Sequence, residues 1–195
     1  GAVNHFIVML PAEPNRSIAE NFGFMVESFN QLAPAFEAAG AHLVVEGWPG
    51  PGSVVCNPEG YRAFLKECPS KAYGINYDAS HLVRMGIDPL RFLREFVGKV
   101  FHVHGKDTEL LAEGLYEYGN TVPRIYGKNQ GFGSTYWRYT IPGHGVVRWP
   151  ETFRLLAEAG YQGCVGIELE DGNFNGSEAG EKQGFILSQQ YLAGC

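Results

Sequence analysis

Five times along this chain a short apolar run gives way to a loop and then to a pattern with helical spacing. The runs are His5 to Leu10, His42 to Glu46, Ala72 to Asp78, Val100 to His104 and Val165 to Glu168. After the first, Phe29, Leu32 and Phe36 recur as one face of a helix over residues 24–39, with Gly40 to stop it. The second leads through a Gly/Pro loop to Asn57-Pro58-Glu59, where Asn57 can cap a helix and Pro58 fits its first turn. The third leads through a loop ending at Gly86 to Asp88-Pro89 and then Leu90, Phe92, Leu93 and Phe96. The fourth precedes a long segment, residues 106–148, and a helix over residues 150–159. The fifth precedes a polar loop and a final helix over residues 177–192. Strand and helix patterns in alternation imply a parallel sheet with right-handed crossovers. Five units fall short of the eight of a closed barrel, which typically takes about 250 residues. The expected fold is therefore α/β, an open sheet or the C-terminal part of a barrel, as a single domain over residues 1–195.

Four of the five runs end in a residue that a divalent metal accepts: Glu46, Asp78, His104 and Glu168. The C-terminal ends of successive parallel strands converge on one face, where such folds build their active sites. Three carboxylates and an imidazole suit Mn²⁺, Mg²⁺, Co²⁺ or Zn²⁺ better than Cu(I) or an iron–sulfur cluster. A site of this kind with open positions can hold neighbouring sugar oxygens and polarise a carbonyl, which acidifies the adjacent C–H. A carboxylate on each side of that carbon can remove and return the proton, and Glu46 and Glu168 are the natural pair. Spacing alone leaves alternatives open. Glu170 faces the same side as Glu168 and can replace it as ligand. His81, three residues beyond Asp78, serves either the substrate or the structure. His42 and His102 read as core residues, Asp88 as a helix N-cap, and Asp107 and Glu109 as loop caps or ion-pair partners. The segment 106–148 holds Tyr116, Tyr118, Tyr126, Phe132, Tyr136, Trp137 and Tyr139, too aromatic for disorder, and is expected to fold as a lid or wall. Trp48 and Trp137 are candidate pocket walls, with ordinary packing as the alternative.

Composition narrows the partners. The net charge is −6 and no Lys/Arg cluster occurs, which disfavours nucleic acid and anionic membranes. Four scattered cysteines without a CxxC pair argue against a zinc ribbon or a disulfide scaffold, so reduced thiols and a cytoplasmic location are expected. No apolar run approaches the roughly 20 residues of a membrane span, and no basic-then-apolar leader pattern is present. The first residue is Gly1 rather than Met, the mark of a processed or internal start.

These residues also carry a signature. Tyr77-Asp78-Ala79-Ser80-His81-Leu82 with Gly86-Ile87-Asp88-Pro89 resembles the DPSHL…GIDP segment of the sugar phosphate isomerase/epimerase family, whose members have the xylose isomerase-like TIM barrel. His102-Val103-His104-Gly105-Lys106-Asp107 is similar to its HVHAKD motif, and Pro142-Gly143-His144-Gly145, after Tyr136-Trp137-Arg138-Tyr139, to its PGxG loop. Ile167-Glu168-Leu169-Glu170-Asp171 is similar to its last-strand IExED. The likeness runs from Val44 to Glu181. It implies a (β/α)8 barrel of which this chain holds strands four to eight, since His5 to Leu10 matches the fourth.

In relatives of the ketose 3-epimerase type, Glu, Asp, His and Glu at the ends of strands five to eight bind the metal. By resemblance Glu46, Asp78, His104 and Glu168 take those places, which favours Glu168 over Glu170, and the two glutamates form the acid/base pair. His81 inherits a substrate contact, and Lys106, Trp48 and Trp137 are taken as further substrate-binding residues. The implied activity is a metal-dependent isomerisation or epimerisation of a sugar or sugar phosphate through an enediolate, with one divalent ion as cofactor and a sugar or polyol-derived small molecule as substrate. An inosose-type dehydratase on the same scaffold is the alternative, because an enediolate can expel a β-hydroxyl. A third reading is an incomplete barrel that needs a partner chain, a second copy or an N-terminal half. An abasic-site endonuclease would need several more histidines for a trinuclear zinc site. The sequence departs from the family at Ala79 and Gly105, which stand for Pro and Ala. It also departs after His104, where epimerases carry an Arg and this chain has Lys106-Asp107-Thr108-Glu109-Leu110.

Overall fold

The computed structural model of the chain describes residues 3–195. Five parallel strands form one sheet: β1 (Asn4–Val8), β2 (His42–Glu46), β3 (Tyr73–Asp78), β4 (Val100–Gly105) and a fifth (Val165–Ile167), in that order across the sheet. Two further strands, β5 (Asp107–Leu110) and β6 (Trp137–Thr140), pair antiparallel outside it, so the fifth sheet strand is β7. The helices are α1 (Ile18–Ala39), α2 (Pro58–Glu67), α3 (Ala79–Arg84), α4 (Pro89–Phe96), α5 (Ala112–Tyr118), α6 (Trp149–Glu158) and α7 (Glu178–Ala193). The architecture is a parallel half-barrel of five strands, the partial barrel that the family resemblance implies.

Five of the seven helices, all but α5 and α6, begin at a side chain that caps their free N–H groups. Helix α1 starts six residues before the first expected apolar position, because Ser17 and Glu20 close a capping box there. Gly40 ends it in the left-handed conformation, φ 61°. Pro34 sits inside α1 on an exposed stretch, where water can take the carbonyl that its missing N–H leaves free. Asn57, Asp88 and Ser177 cap α2, α4 and α7 through their side chains.

The apolar core lies between the convex face of the sheet and the helices. Central strand β3 is buried along its whole length. Phe29 of α1, Phe64 of α2 and Tyr73 of β3 meet edge to face or stacked at 5.4–5.9 Å. Tyr61 in α2 donates to the Val45 carbonyl at 3.1 Å, and Tyr73 to that of Phe29, so each buried hydroxyl is satisfied. The opposite, concave face carries rings instead. A Cβ on Gly74 would stand 2.2 Å from the Phe101 ring, and one on Gly166 would stand 2.9 Å from His102 Nε2. Those two strand glycines make room for aromatic side chains over the sheet. His42 lies there against Phe101 and Asn4, and His102 against Phe6.

Two departures from the sequence expectation shape the mouth of the half-barrel. The stretch after Asp78, expected as loop, is helix α3, because the Asp78 carboxylate itself caps it: Oδ1 accepts from the Ser80 amide at 2.9 Å and its hydroxyl at 2.6 Å. The long segment 106–148 is neither a simple loop nor a detached lid. It forms the β5–β6 ribbon, with α5 between, tied to α3 by the Thr108 hydroxyl on the Ser80 carbonyl at 2.9 Å. Asp171, past β7, accepts from the Thr140 hydroxyl and the Ile141 amide, anchoring the ribbon's other end. Among the described residues, no helix is long and apolar enough to cross a membrane, and all four cysteines are free thiols.

Candidate metal centre

Parallel pairing in register sets the last residues of neighbouring strands side by side: Glu46 pairs with Asn76 and Asp78 with His104, while β7 enters beside β4. Period-2 alternation then turns Glu46, Asp78 and His104 to the same face, and the chain leaving β7 brings Glu168 to them. One ligand atom from each of Glu46, Asp78, His104 and Glu168 lies within 4.8 Å of the other three. His104 Nδ1 is at the middle, 3.0 Å from Glu168 Oε2, 3.5 Å from Glu46 Oε1 and 3.6 Å from Asp78 Oδ2.

This cluster fits a divalent cation. Two of its buried oxygens, Asp78 Oδ2 and Asn76 Oδ1, have no hydrogen-bond partner. Lys106 Nζ is 3.2 Å from Asp78 Oδ2, close enough to attract but not aligned to donate. Three carboxylates, Asp78, Glu168 and Glu170, share the single ammonium of Lys106, and Glu46 is held by His81 and His104 instead. A buried surplus of negative charge and unpaired oxygen acceptors is the environment that a hard or borderline dication offsets.

The electrostatics of the ion-free protein follow from the same contacts. Burial pushes the Glu46 carboxyl up, but hydrogen bonds from His104 and His81 outweigh it and hold it at about 2. Burial likewise disfavours charge on His104, yet the three carboxylates raise it from 6.5 to about 11. Glu168 is lowered, burial being overcome by His104 and Lys106, and Asp78 is lowered well below its usual value against full burial. The stability from His104 is fully present below its unfolded value of 6.5 and is lost as pH rises toward 11, while that from Glu46 is present above 4.5 and is lost as pH falls toward 2. The chelator-treated protein is therefore expected to be most stable between pH 4.5 and 6.5. Added Mn²⁺ or Zn²⁺ should stabilise it more as pH rises, because metal must displace the His104 proton. Thermal midpoints measured from pH 4 to 9, with and without metal, check both slopes; a metal effect that weakens with rising pH would refute the assignment of His104.

The other singled-out residues take distinct places. His81 is fully buried, its Nε2 3.0 Å from Glu46 Oε1 and its Nδ1 2.5 Å from the Tyr139 hydroxyl. A carboxylate only accepts, so Nε2 carries the proton, and in the neutral ring Nδ1 accepts from Tyr139. Lys106 is also buried, with Nζ 2.6 Å from Glu168 and 2.9 Å from Glu170, and 4.5 Å from the centre of the Tyr139 ring. Trp137 and Tyr139 alternate on β6 with ring centres 4.8 Å apart, and Trp48 is half-buried on the loop after β2. Asn76 was not singled out by its motif, although it sits two residues before Asp78 on the same face of β3. Its amide nitrogen lies 3.1 Å from His104 Nδ1. Asp107 and Asp171 accept from loop and ribbon donors and take no part in the cluster.

The family model for the xylose isomerase-like TIM barrel matches residues 2–190, almost the entire chain. The chain belongs to that family. A Bacillus subtilis (strain 168) relative, uncharacterized protein YfiH, is 32% identical over 125 residues, 60% of this chain and 37% of its own length. An inosose dehydratase of Bacillus thuringiensis (strain Al Hakam) is 26% identical over 156 residues, 77% of this chain and 48% of its own. This chain thus spans about half the length of these relatives or less. A xylose isomerase domain protein of Planctomyces limnophilus has the same fold, with TM-score 0.71 at 18% identity over 98% of this chain and 59% of that one. So does the IolI protein, solved with a bound zinc atom, with TM-score 0.69 at 19% identity over 97% and 63%.

Proposed function

We propose that this chain carries the metal and proton-transfer site of a divalent-metal-dependent carbohydrate isomerase or epimerase. The observation that carries the reading is the convergence of Glu46, Asp78, His104 and Glu168 on one point, with two glutamates from opposite sides of the cluster. These four residues would hold the ion, and a bound Mn²⁺, Mg²⁺, Co²⁺ or Zn²⁺ would polarise the substrate carbonyl and acidify its neighbouring C–H. The zinc atom of the IolI structure supports a divalent ion.

The chain's own groups supply the rest. Glu46 and Glu168 are both held ionised at neutral pH, the form a base must take before it removes a proton from carbon. One takes the proton from one face and the other returns it. His81, fully buried and fixed by Tyr139, holds Glu46 in place by its Nε2 hydrogen bond, so its part is to position Glu46 rather than to touch substrate. Lys106 holds Glu168 and Glu170 together, so that Glu168 presents one orientation to the carbon.

A second reading is an inosose-type dehydratase, favoured by inosose dehydratases among the relatives. Removal of the α-proton is common to both, and only the fate of the β-hydroxyl differs. Metal analysis, followed by incubation with ketoses, inososes and keto-acids in D₂O, tests the proposal. One solvent deuteron at the carbon next to the carbonyl, without loss of water, is the expected result. Loss of water selects the dehydratase, and no bound metal with no exchange overturns both.

A further inference from the structure

A cavity of about 570 Å³ opens between the loop after β2, the C-terminal end of α3 and the chain that joins β5 to β6. None of the four candidate metal ligands lines it. Arg84 does, together with Trp137, Tyr136, Asn120, Thr121 and Ser134. The Arg84 guanidinium carbon stands 4.7 Å from the centre of Trp137, 5.4 Å from Tyr139 and 5.9 Å from Trp48. Its Nη2 donates to the Pro49 carbonyl at 2.5 Å. Arg62, Arg138 and Arg154 each pair with a carboxylate, whereas no acid among the described residues is paired with Arg84.

A half-buried guanidinium without a counter-charge is costly, and this protein has carboxylates to spare, with a net charge of −6. Three aromatic rings within 5.9 Å hold the guanidinium, and of its N–H groups one Nη2 hydrogen goes to the Pro49 carbonyl, so others can meet an oxyanion. Around that cation Tyr136 and Trp137 give aromatic walls, Asn120, Thr121 and Ser134 give polar groups, and aliphatic side chains such as Leu110 and Leu115 complete the lining, a mixture that can take a sugar ring on its face and its hydroxyls at the edge. Arg84 also lies one helical turn beyond His81, the residue that touches Glu46.

We propose that this cavity binds the oxyanion of an acidic sugar, a carboxylate or a phosphate, with Arg84 as the anion contact that sets substrate class. The inference rests on the carbohydrate reading above and narrows it to anionic substrates.

Trp48 and Trp137 flank Arg84, so tryptophan fluorescence reads the cavity without any turnover. The full chain is titrated with D-glucuronate, D-glucose 6-phosphate, inorganic phosphate and D-glucose. Saturable quenching by glucuronate or the sugar phosphate is expected, with neutral glucose at least tenfold weaker. Arg84→Gln should weaken the anion response roughly 10–100-fold, as loss of a charged hydrogen-bonded partner does. Arg84→Lys, which keeps the charge and loses the fork, should fall between and covers the case in which glutamine disturbs packing on Trp137. Saturation by inorganic phosphate alone, equally sensitive to Arg84, assigns the site to a phosphate group rather than a sugar carboxylate. Equal responses to glucose and glucuronate, or unchanged affinity in both Arg84 variants, overturn the proposal. Glu168→Gln should keep the anion response while losing metal, so failure of the metal reading and failure of this one give different results.

Discussion

Glu168→Gln is expected to lower turnover by roughly 10²- to 10⁴-fold, the loss typical of a positioned acid or base, and to weaken Mn²⁺ binding beyond the ~10–100-fold that losing an outer-shell partner costs. Glutamine keeps the size of the side chain and one acceptor oxygen, but it neither carries charge nor takes a proton. In the structure Glu168 Oε2 is bonded to Lys106 at 2.6 Å and faces His104 at 3.0 Å, so the substitution acts on the one oxygen to which both proposed roles, ligand and base, are assigned. It is also the most exposed of the four candidate ligands, 34% against 1–16%, as a group that exchanges protons with a bound substrate must be. Glu170→Gln is the control. Glu170 touches Lys106 and no ligand atom, so its loss is expected to cost less metal affinity and to leave proton exchange detectable. Isothermal titration with Mn²⁺ and deuterium exchange on the same samples decide it. A Glu168→Gln protein that binds metal and exchanges protons as the parent does would remove the acid/base assignment.

Asp107→Ala should lower stability by about 3–5 kcal/mol, a size associated with breaking a buried polar network. At this chain length that corresponds to a fall in Tm of about 10 °C. Asp107 is completely buried and accepts from four donors: the amides of Thr108, Gly143 and Val147 at 2.8, 3.2 and 2.9 Å, and Trp149 Nε1 at 3.3 Å. Burial pushes its carboxyl above the usual value in spite of those donors. Its contribution is therefore to satisfy four buried N–H groups rather than to supply a favourable charge. Removing it strands donors in the loop that joins the ribbon to α6, and this loop has no room to repack. A Cβ on Gly145 would stand 2.5 Å from the Thr108 carbonyl oxygen, and Gly143 sits at φ 89°. Asp107→Asn keeps one acceptor and should cost less. Urea denaturation of the three proteins measures the order, and an alanine variant within about 1 kcal/mol of the parent would contradict it.

How far these sites can be read from the sequence differs for physical reasons. Glu46 and Asp78 end their strands, His104 stands one residue before the end of β4, Glu168 directly follows β7, and parallel pairing brings strand ends together without help from distant loops. Helix starts were legible where a capping residue precedes Pro, as at Asn57 and Asp88. The start of α1 was set six residues late because the apolar spacing begins at Phe24, whereas the Ser17–Glu20 capping box sets the actual boundary. Helix α3 hid behind the same carboxylate that marks the metal site, since Asp78 spends one oxygen on the cap and leaves the other for the cluster. Lys106 looked like a pocket residue by its place after His104. Its burial among Glu168, Glu170 and Asp78 depends on where the chain leaves β7, which no local pattern encodes.

Period-2 strands, turn residues and capping groups are properties of a few neighbouring positions. From them alone the chain determined its alternation of strand and helix, its parallel sheet and the set of ligand types at one end, while the choice between an open sheet and part of a barrel came from the family motifs. Contacts between residues far apart in sequence belong to the tertiary structure. Tyr139 reaches His81 across 58 positions, and Lys106 reaches Glu168 across 62. Arg84 meets Trp137 only because β5 and β6 fold back over α3. Those contacts decide how the glutamates are held and that Arg84 sits among aromatic rings rather than beside a carboxylate, because burial and charge depend on everything packed around a group and not on its neighbours along the chain.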